Sequence, residues 1–187
     1  MTQESDIYPK HLSQTWAFPS GEVLLLRPVR HDDGERQEAF VRGLSTESGY
    51  QRMLRGSFRI TPEWIEQMTH IDYHGHMAFA ATTVKEGVEQ FLGVGRYVVV
   101  DPGNPSAEFA LVIADDRQGQ GLGRRLLQAL LEHAEAAGLR EMEGYVLAIN
   151  RPMLSLARSL GFTVKTVPGD ATLVHVRRNL QRAESQS

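Results

Sequence analysis

Apolar residues recur every three or four positions through the middle of the chain, from Leu122 to Ala134. This spacing places them along one side of an α-helix with 3.6 residues per turn, while the arginines, glutamines and glutamates between them take the other side. Gly138 follows at a point where helices commonly end, because glycine tolerates the left-handed backbone conformation that closes a helix. The pattern therefore predicts a long amphipathic helix that packs on a sheet.

The residues just before this helix alternate as in a β-strand. Glu108, Ala110 and Val112 would face one side of a sheet, and the apolar residues between them the other. A glycine-rich turn, Gln118-Gly-Gln-Gly-Leu-Gly123, joins the strand to the helix. The first turn of a helix carries unpaired N–H groups and partial positive charge, so such a turn can bind a phosphate, although a simple tight connection is the alternative.

Two known phosphate-binding patterns do not fit this turn. A P-loop ends in Gly-Lys-Ser/Thr, whereas Gly123 is followed by Arg124 and Arg125. A dinucleotide fingerprint that begins at Gly119 needs its third glycine where Arg124 stands. The turn is therefore neither of these two motifs.

The other elements follow from alternation, capping residues and turn signals. Hairpins on both sides of a βαβ crossover indicate an α/β (α+β) fold with a mixed, mostly antiparallel central sheet and helices on both faces. We expect a lead at 1–20 that packs partly on the body, one domain at 21–179 and a flexible tail at 180–187. We expect strands at about 23–29, 77–84, 91–100, 107–113, 142–147, 162–167 and 172–176, and further helices at about 33–42, 45–54 and 61–69 and from 150.

Composition narrows the possible partners. The 187 residues have 41% hydrophobic content and a net charge of −3, which gives no basic excess to suggest nucleic acid. The sequence contains no cysteine, which excludes disulfides and thiolate catalysis. No apolar run approaches the length of a membrane span and the N-terminus lacks a signal pattern, so we expect a cytoplasmic protein with no membrane partner.

Glu108 is a candidate catalytic base. A carboxylate flanked by apolar residues in a central strand is costly unless it is solvated in a cleft or paired. A base of this kind suits a reaction in which an amine must lose a proton before it attacks. The alternative is a salt bridge or a surface acid at the end of a strand.

Four residues between the third helix and the next strand, His70, Asp72, His74 and His76, include metal-ligand types. We expect no metal there, because the segment reads as a loop and no second cluster completes a site. Asp72 and Tyr73 are instead candidates to receive a cationic amine at the mouth of a cleft, with ordinary exposed loop residues as the alternative.

Gln118, Gly121 and Gly123 resemble the signature of the GNAT superfamily of acyl-CoA-dependent N-acyltransferases. Residues 150–162, which begin at an asparagine and end in Leu-Gly-Phe, resemble a second motif of the same family. The resemblance implies acetyl-CoA as cosubstrate, no metal, and a splayed strand pair that holds the acyl-CoA arm. The residues it assigns to acetyl-CoA are Leu111, Val112, Ile113, Gln118, Gly119, Gln120, Gly121, Leu122, Gly123, Arg124, Asn150 and Met153.

The resemblance also implies individual roles. Glu108 would be the general base, and the backbone N–H of Val112 or Leu111 would donate to the thioester carbonyl. Asn150 would contact the pantetheine arm while it caps its helix, a role its position before Pro152 also favours. Ala157 stands where many members of the family have a tyrosine that acts as general acid.

Further segments are similar to the bacterial protein lysine acetyltransferases of the Pat type. These segments are Tyr8-Pro9, Leu26–Val29, Leu44–Ser48 with Tyr50 and Arg52, Thr69–Tyr73, and Asn150–Leu154. The chain departs from that group after Tyr50, where Arg52-Met-Leu-Arg-Gly replaces an Arg-Phe-Phe-like segment. The similarity implies transfer to a protein lysine, for example in an acyl-CoA synthetase; a small amine or antibiotic as acceptor and a noncatalytic acyl-CoA-sensing module are the alternatives.

Overall fold

The computed structural model describes residues 8–18, 20–53, 59–101 and 103–181. The end of the predicted tail, residues 182–187, lies outside the described residues, as do residues 54–56 of the departure from the Pat-type pattern. Among the described residues, no helix is both long and apolar enough to span a bilayer.

The described residues form eight strands and five α-helices, with short 3₁₀ turns between some of them. The strands are β1 (Gln14–Ala17), β2 (Val23–Pro28), β3 (His76–Lys85), β4 (Val88–Val99), β5 (Ser106–Ile113), β6 (Glu141–Leu147), β7 (Thr163–Val167) and β8 (Asp170–Asn179). The helices are α1 (Gly34–Arg42), α2 (Thr46–Met53), α3 (Pro62–Thr69), α4 (Leu122–Ala136) and α5 (Arg151–Ser159).

All eight strands form one sheet, in the order β1-β2-β3-β4-β5-β6-β8-β7. Every neighbouring pair is antiparallel except β5 and β6, which are parallel and are connected through α4. The mixed, mostly antiparallel sheet predicted from the sequence is therefore confirmed. The lead contributes more than packing, because Gln14–Ala17 pairs with β2 as an edge strand.

Helices cover both faces of the sheet. On one face, Leu126 and Leu130 of α4 pack against Gly93 and Gly95 of β4. On the other face, Arg96 donates to the backbone oxygen of Met68 in α3 at 3.2 Å. Neighbouring residues of a strand point to opposite faces, so α3 and α4 lie on opposite sides of β4.

The parallel strands separate soon after they begin. β5 and β6 pair only over Ser106–Glu108 and Glu141–Glu143, and the later residues of β5 have no partner on β6. The ring of Phe109 packs at the point of separation, and a Cβ atom added to Gly144 would lie 2.9 Å from that ring. A glycine at this position therefore lets Phe109 pack between the strands where they open into a V.

Candidate active site

A cleft of about 580 Å³ occupies the V between β5 and β6. Its walls come from β5, the glycine-rich turn, the first turn of α4, β6 and the start of α5. The residues predicted to hold acetyl-CoA line this cleft with one exception; they are Leu111, Val112, Ile113, Gln118, Gly119, Gly121, Leu122, Gly123, Arg124, Asn150 and Met153. The exception is Gln120, whose side-chain amide donates to the backbone oxygen of Asp116 at 3.1 Å.

The glycine-rich turn opens onto the N-terminus of the 15-residue helix α4. Gly121 is the N-cap residue and has a φ of +87°, a left-handed conformation that favours glycine. No side chain caps the first backbone N–H groups of α4, so these donors and the helix dipole face the cleft. Arg124 adds a positive charge at the same end, with its guanidinium donating to Ser159 Oγ at 2.7 Å. This end of the cleft suits a pyrophosphate.

A polar network fixes the turn to helix α2. The carboxylate of Asp115 accepts hydrogen bonds from the hydroxyls of Ser45 and Ser48, both at 2.7 Å. Gln118 donates to Ser48 Oγ at 3.2 Å and to the backbone oxygen of Ile113 at 3.3 Å. These contacts lower the pKa of Asp115, chiefly through the hydrogen bonds from Ser45. Ser48 also lines the cleft; the sequence pattern placed it in a Pat-like segment but did not assign it to the site.

Asn150 has the capping role expected of it. Its Oδ1 accepts the backbone N–H of Met153 at 3.1 Å, and Pro152 lies in the first turn of α5. Both Asn150 and Met153 also face the cleft. Ala157, further along α5, is fully buried and contributes no polar group to the cleft.

The register of β5 separates the two candidates for the carbonyl donor. The N–H of Ala114 donates to Leu92 in β4 at 2.9 Å. Successive N–H groups of a strand point to opposite edges, so the N–H of Val112 also faces β4, where Val112 pairs with Val94. The N–H of Leu111 faces the opened gap instead. The geometry therefore favours Leu111 over Val112 as the donor.

Glu108 lies at the closed end of the V, in the last pair of the parallel ladder. Its partner there is Glu143 of β6, and its antiparallel partner is Val98 of β4. The side chain is exposed and lines the cleft. Within the part of the chain that the structure describes, no cationic side chain forms an ion pair with Glu108. Its carboxylate is thus open to the cleft.

The structure does not support Tyr73 as a residue that receives an amine. Its backbone has a φ of +59°, and its side chain is buried. Its hydroxyl donates to the backbone oxygen of Val29 at 2.9 Å. Burial raises the pKa of Tyr73 to about 12. The neighbouring Asp72 is exposed, but its Oδ1 accepts the backbone N–H groups of His74 and His76, and it does not line the cleft. Loop position alone gave no sign that the chain turns Tyr73 inward.

The histidines of the same loop point to separate partners. His70 stacks on His31 with ring centroids 4.9 Å apart, and His76 Nε2 lies 3.2 Å from the Arg96 guanidinium. Across the described ranges, no three His, Asp or Glu side chains come together as a set of metal ligands.

Tyr145 is a cleft residue that the sequence analysis did not single out. It lies on β6 and is 43% exposed, facing the same space as Glu108. Its ring stacks on His175 of β8, with centroids 5.0 Å apart. The alternation of β6 could have indicated which residues share a face with Tyr145, but not that this face borders the cleft.

Comparison with known proteins identifies the type of domain that carries this cleft. Residues 24–163 match the family model described as an acetyltransferase (GNAT) domain. Over 158 residues, the chain is 36% identical to the acetyltransferase PA5475 of Pseudomonas aeruginosa, covering 84% of each protein. It is also 30% identical to the acetyltransferase Pat of Mycolicibacterium smegmatis, over 76% of this chain and 42% of that protein.

A solved structure gives the same result for the fold. The GNAT domain of S. lividans PAT superposes with a TM-score of 0.80 at 26% identity, covering 92% of this chain and 99% of that domain. The superposition therefore includes most of the strands and helices described above.

Proposed function

The chain belongs to the GNAT acetyltransferase family, an enzyme family that uses acetyl-CoA, and we propose that it transfers the acetyl group to a lysine side chain of a protein. The observation that carries this proposal is the setting of Glu108. This carboxylate is exposed at the end of the cleft, across from Val98, and Val100 follows two residues later in the chain; the two valines are 39% and 73% exposed. A lysine can lay its apolar stem along such valines while its nitrogen reaches the carboxylate.

The cleft residues supply the binding interactions for acetyl-CoA. The glycine-rich turn and Arg124 provide N–H donors and positive charge for the pyrophosphate. The edge of β5 that faces the gap offers free backbone groups to the pantetheine arm, and Asn150 and Met153 form the opposite wall. This arrangement directs the thioester toward Glu108.

Glu108 then acts as the general base. A lysine is protonated at neutral pH, and its ammonium cannot attack a carbonyl, so the carboxylate removes the proton. The N–H of Leu111 donates to the carbonyl oxygen as that oxygen gains negative charge. The sequence has no cysteine to serve as a thiol relay, which favours direct attack of the amine on the thioester.

The test compares acceptors in one assay. Purified protein is incubated with acetyl-CoA and either lysine-bearing metabolic proteins, including an acyl-CoA synthetase, or a panel of polyamines and aminoglycosides. Release of coenzyme A is measured with a thiol reagent, and acetylated lysines are located by mass spectrometry. The same proteins with dimethylated lysines serve as the matched control. We expect release with the unmodified proteins alone.

Other outcomes reassign the acceptor. Release only with small amines would overturn the protein acceptor and establish a small-molecule acetyltransferase on the same scaffold. Equal release with blocked and unblocked proteins would show that the acetyl group does not go to lysine.

A further inference from the structure

The glycine-rich turn receives little support from its own residues. Residues 118–121 are all exposed, and Gly119 and Gly121 both have a positive φ. A Cβ atom added to either glycine would meet nothing within 4 Å. Glycine loses more conformational freedom on folding than any other residue, so an exposed turn with two glycines keeps one shape only if other contacts hold it.

One such contact comes from the segment Leu44–Ser48, which is similar to the Pat-type proteins and has no role in the proposed function. Gln118 of the turn donates its side-chain amide to Ser48 Oγ at 3.2 Å and to the backbone oxygen of Ile113 at 3.3 Å. Ser48 is 5% exposed, and its hydroxyl donates to Asp115 Oδ1 at 2.7 Å. A chain of hydrogen bonds therefore runs from the turn through Ser48 to Asp115.

Asp115 also holds the start of helix α2. Its Oδ2 accepts the backbone N–H of Ser45 at 2.9 Å, and its Oδ1 accepts the Ser45 hydroxyl at 2.7 Å. Ser45 Oγ in turn accepts the backbone N–H of Ser48 at 3.2 Å, the contact that an N-cap residue makes with the first turn of its helix. One carboxylate thus joins α2 to the end of β5, although Ser45 and Asp115 are 70 residues apart in the chain.

Electrostatics alone would disfavour a carboxylate at this place. Asp115 lies three residues before Gln118, and like charges repel, so its charge opposes the binding of a pyrophosphate at the turn. The next residue, Asp116, is also acidic, but its side chain is 81% exposed and lies 3.8 Å from the guanidinium of Arg117. Within the described ranges, Asp115 is the one of these two acids that contacts α2. The two neighbours therefore separate the effect of the charge from the effect of the contacts.

We propose that Asp115 and Ser48 are positioning residues for the pyrophosphate of coenzyme A, so that the segment Leu44–Ser48 serves the cofactor rather than the acceptor. Asp115 holds α2 against the end of β5, and Ser48 holds Gln118 and with it the backbone of the turn. A turn that already has its bound shape loses less conformational entropy when the ligand binds. This proposal rests on the use of coenzyme A in the proposed function, but not on the acceptor or on the role of Glu108.

Binding of coenzyme A, measured by calorimetry without any acceptor, tests this role through the sign of the change. Asp115→Ala removes a negative charge near an anion, which by itself would strengthen binding. It also releases α2 from the turn, and we expect binding to become about tenfold weaker because the lost preorganisation outweighs the charge. Asp115→Asn keeps one acceptor oxygen for the serine hydroxyls and should lie between Asp115→Ala and the wild type. Asp116→Ala removes the same charge and should bind coenzyme A at least as tightly as the wild type.

Two serine variants keep the test decisive if Asp115→Ala does not fold. Ser48→Ala removes the link to Gln118 while Ser45 still holds Asp115, and it should weaken binding about threefold. Ser45→Ala removes the cap of α2 together with a contact to Asp115. Its matched control is Thr61→Ala, which removes the cap of α3, where Thr61 Oγ1 accepts the backbone N–H of Trp64 at 3.2 Å. Both variants should lower the thermal midpoint, but only Ser45→Ala should weaken coenzyme A binding.

Three outcomes would decide against this account. Binding by Asp115→Ala that matches or exceeds that of the wild type would overturn the positioning role, because the charge alone would then set the affinity. An equal loss of affinity in Ser45→Ala and Thr61→Ala would also overturn it, because the loss would then follow helix stability in general. Both of these results would leave the proposed function intact. Failure of the wild type to bind coenzyme A at all would instead overturn the proposed function.

Discussion

The carboxylates beside Arg27 and the carboxylate of Glu108 lie on the same side of the sheet, but their surroundings differ. Arg27 of β2 is joined through the strand register of β3 and β4 to Val112, which shares a face with Glu108. At the Arg27 end, the carboxylates of Asp33 and Glu89 both contact its guanidinium. At the other end, Glu108 has no cationic partner among the described residues.

The pairing decides what each carboxylate can do. Arg27 and Asp33 are both fully buried, and their two hydrogen bonds are 2.7 and 2.8 Å long, the bidentate geometry that stabilises a buried pair. Their charges therefore stabilise the fold and are not available to a ligand. The carboxylate of Glu108 is exposed and lines the cleft, where a ligand can reach it. Whether a carboxylate stabilises the fold or stays open to a ligand therefore depends on an arginine beside it more than on its position on the sheet.

Removing the buried arginine should produce the largest effect. Arg27→Met removes the buried bidentate partner of Asp33 and leaves it, among the described residues, only the partly exposed Arg36 as an ion-pair partner, so we expect a loss of about 3–5 kcal/mol in the free energy of unfolding. Urea denaturation followed by circular dichroism measures this loss. Arg42→Met is the matched control, because Arg42 forms an exposed pair with Glu38 and should cost no more than about 0.5 kcal/mol. Similar losses for both variants would contradict the structural role of the cluster.

At the closed end of the cleft, the packing of Phe109 needs the space beside Gly144, so a substitution of this glycine tests how the V is held open. An added Cβ would approach the Phe109 ring to 2.9 Å, so Gly144→Ala should destabilise the protein by about 1–3 kcal/mol. It should also weaken coenzyme A binding, because Phe109 must move at the root of the V. Gly49→Ala, where an added Cβ meets nothing within 4 Å, should do neither. Unchanged coenzyme A affinity in a destabilised Gly144→Ala protein would show that the packing of Phe109 between β5 and β6 does not determine binding.

Acid should produce smaller effects on stability, through Glu89 of the Arg27 cluster and through the partly buried His76. Hydrogen bonds from Arg27 lower the pKa of Glu89 to about 2, against burial that raises it. Burial, and then the charge of Arg96, lower the pKa of His76 to about 4. In both cases the folded state binds fewer protons than the unfolded state, so stability falls on acidification.

The two pH windows differ. The loss linked to His76 begins below its ordinary pKa of 6.5 and is complete near 4, whereas the loss linked to Glu89 begins below 4.5 and continues to about 2. Urea midpoints measured between pH 7 and 3 report both windows. His76→Gln should reduce the upper one to the part linked to His133, whose pKa burial also lowers, and should leave the lower one unchanged. A midpoint that stays constant from pH 6.5 to 4.5 in the wild type would contradict the buried, neutral state of His76.

Local patterns predicted the elements that carry the cofactor cleft. The amphipathic period of residues 122–134 placed helix α4 correctly, and the alternation of 107–113 placed Glu108 on the face opposite α4. The capping residue Asn150 and the following Pro152 marked the start of α5. These features depend on neighbouring residues in the chain, so the sequence contains them directly.

Features that depend on distant residues were missed. Strand β1 is four residues long and owes its form to pairing with β2, which no local pattern reveals. Strand β8 runs from Asp170 to Asn179, longer than expected, because it pairs with both β6 and β7. Tyr145 lines the cleft because β6 diverges from β5. Tyr73 does not line it, because its side chain turns inward and its hydroxyl donates to the backbone oxygen of Val29.

The most direct test of the account combines binding and turnover in one variant, Glu108→Gln. This change keeps the size of the side chain and removes its ability to accept a proton. We expect the variant to keep the thermal midpoint and the coenzyme A affinity of the wild type while kcat for acetyl transfer falls by about 100-fold or more. Transfer at the wild-type rate by a folded variant that binds coenzyme A would show that Glu108 is not the base.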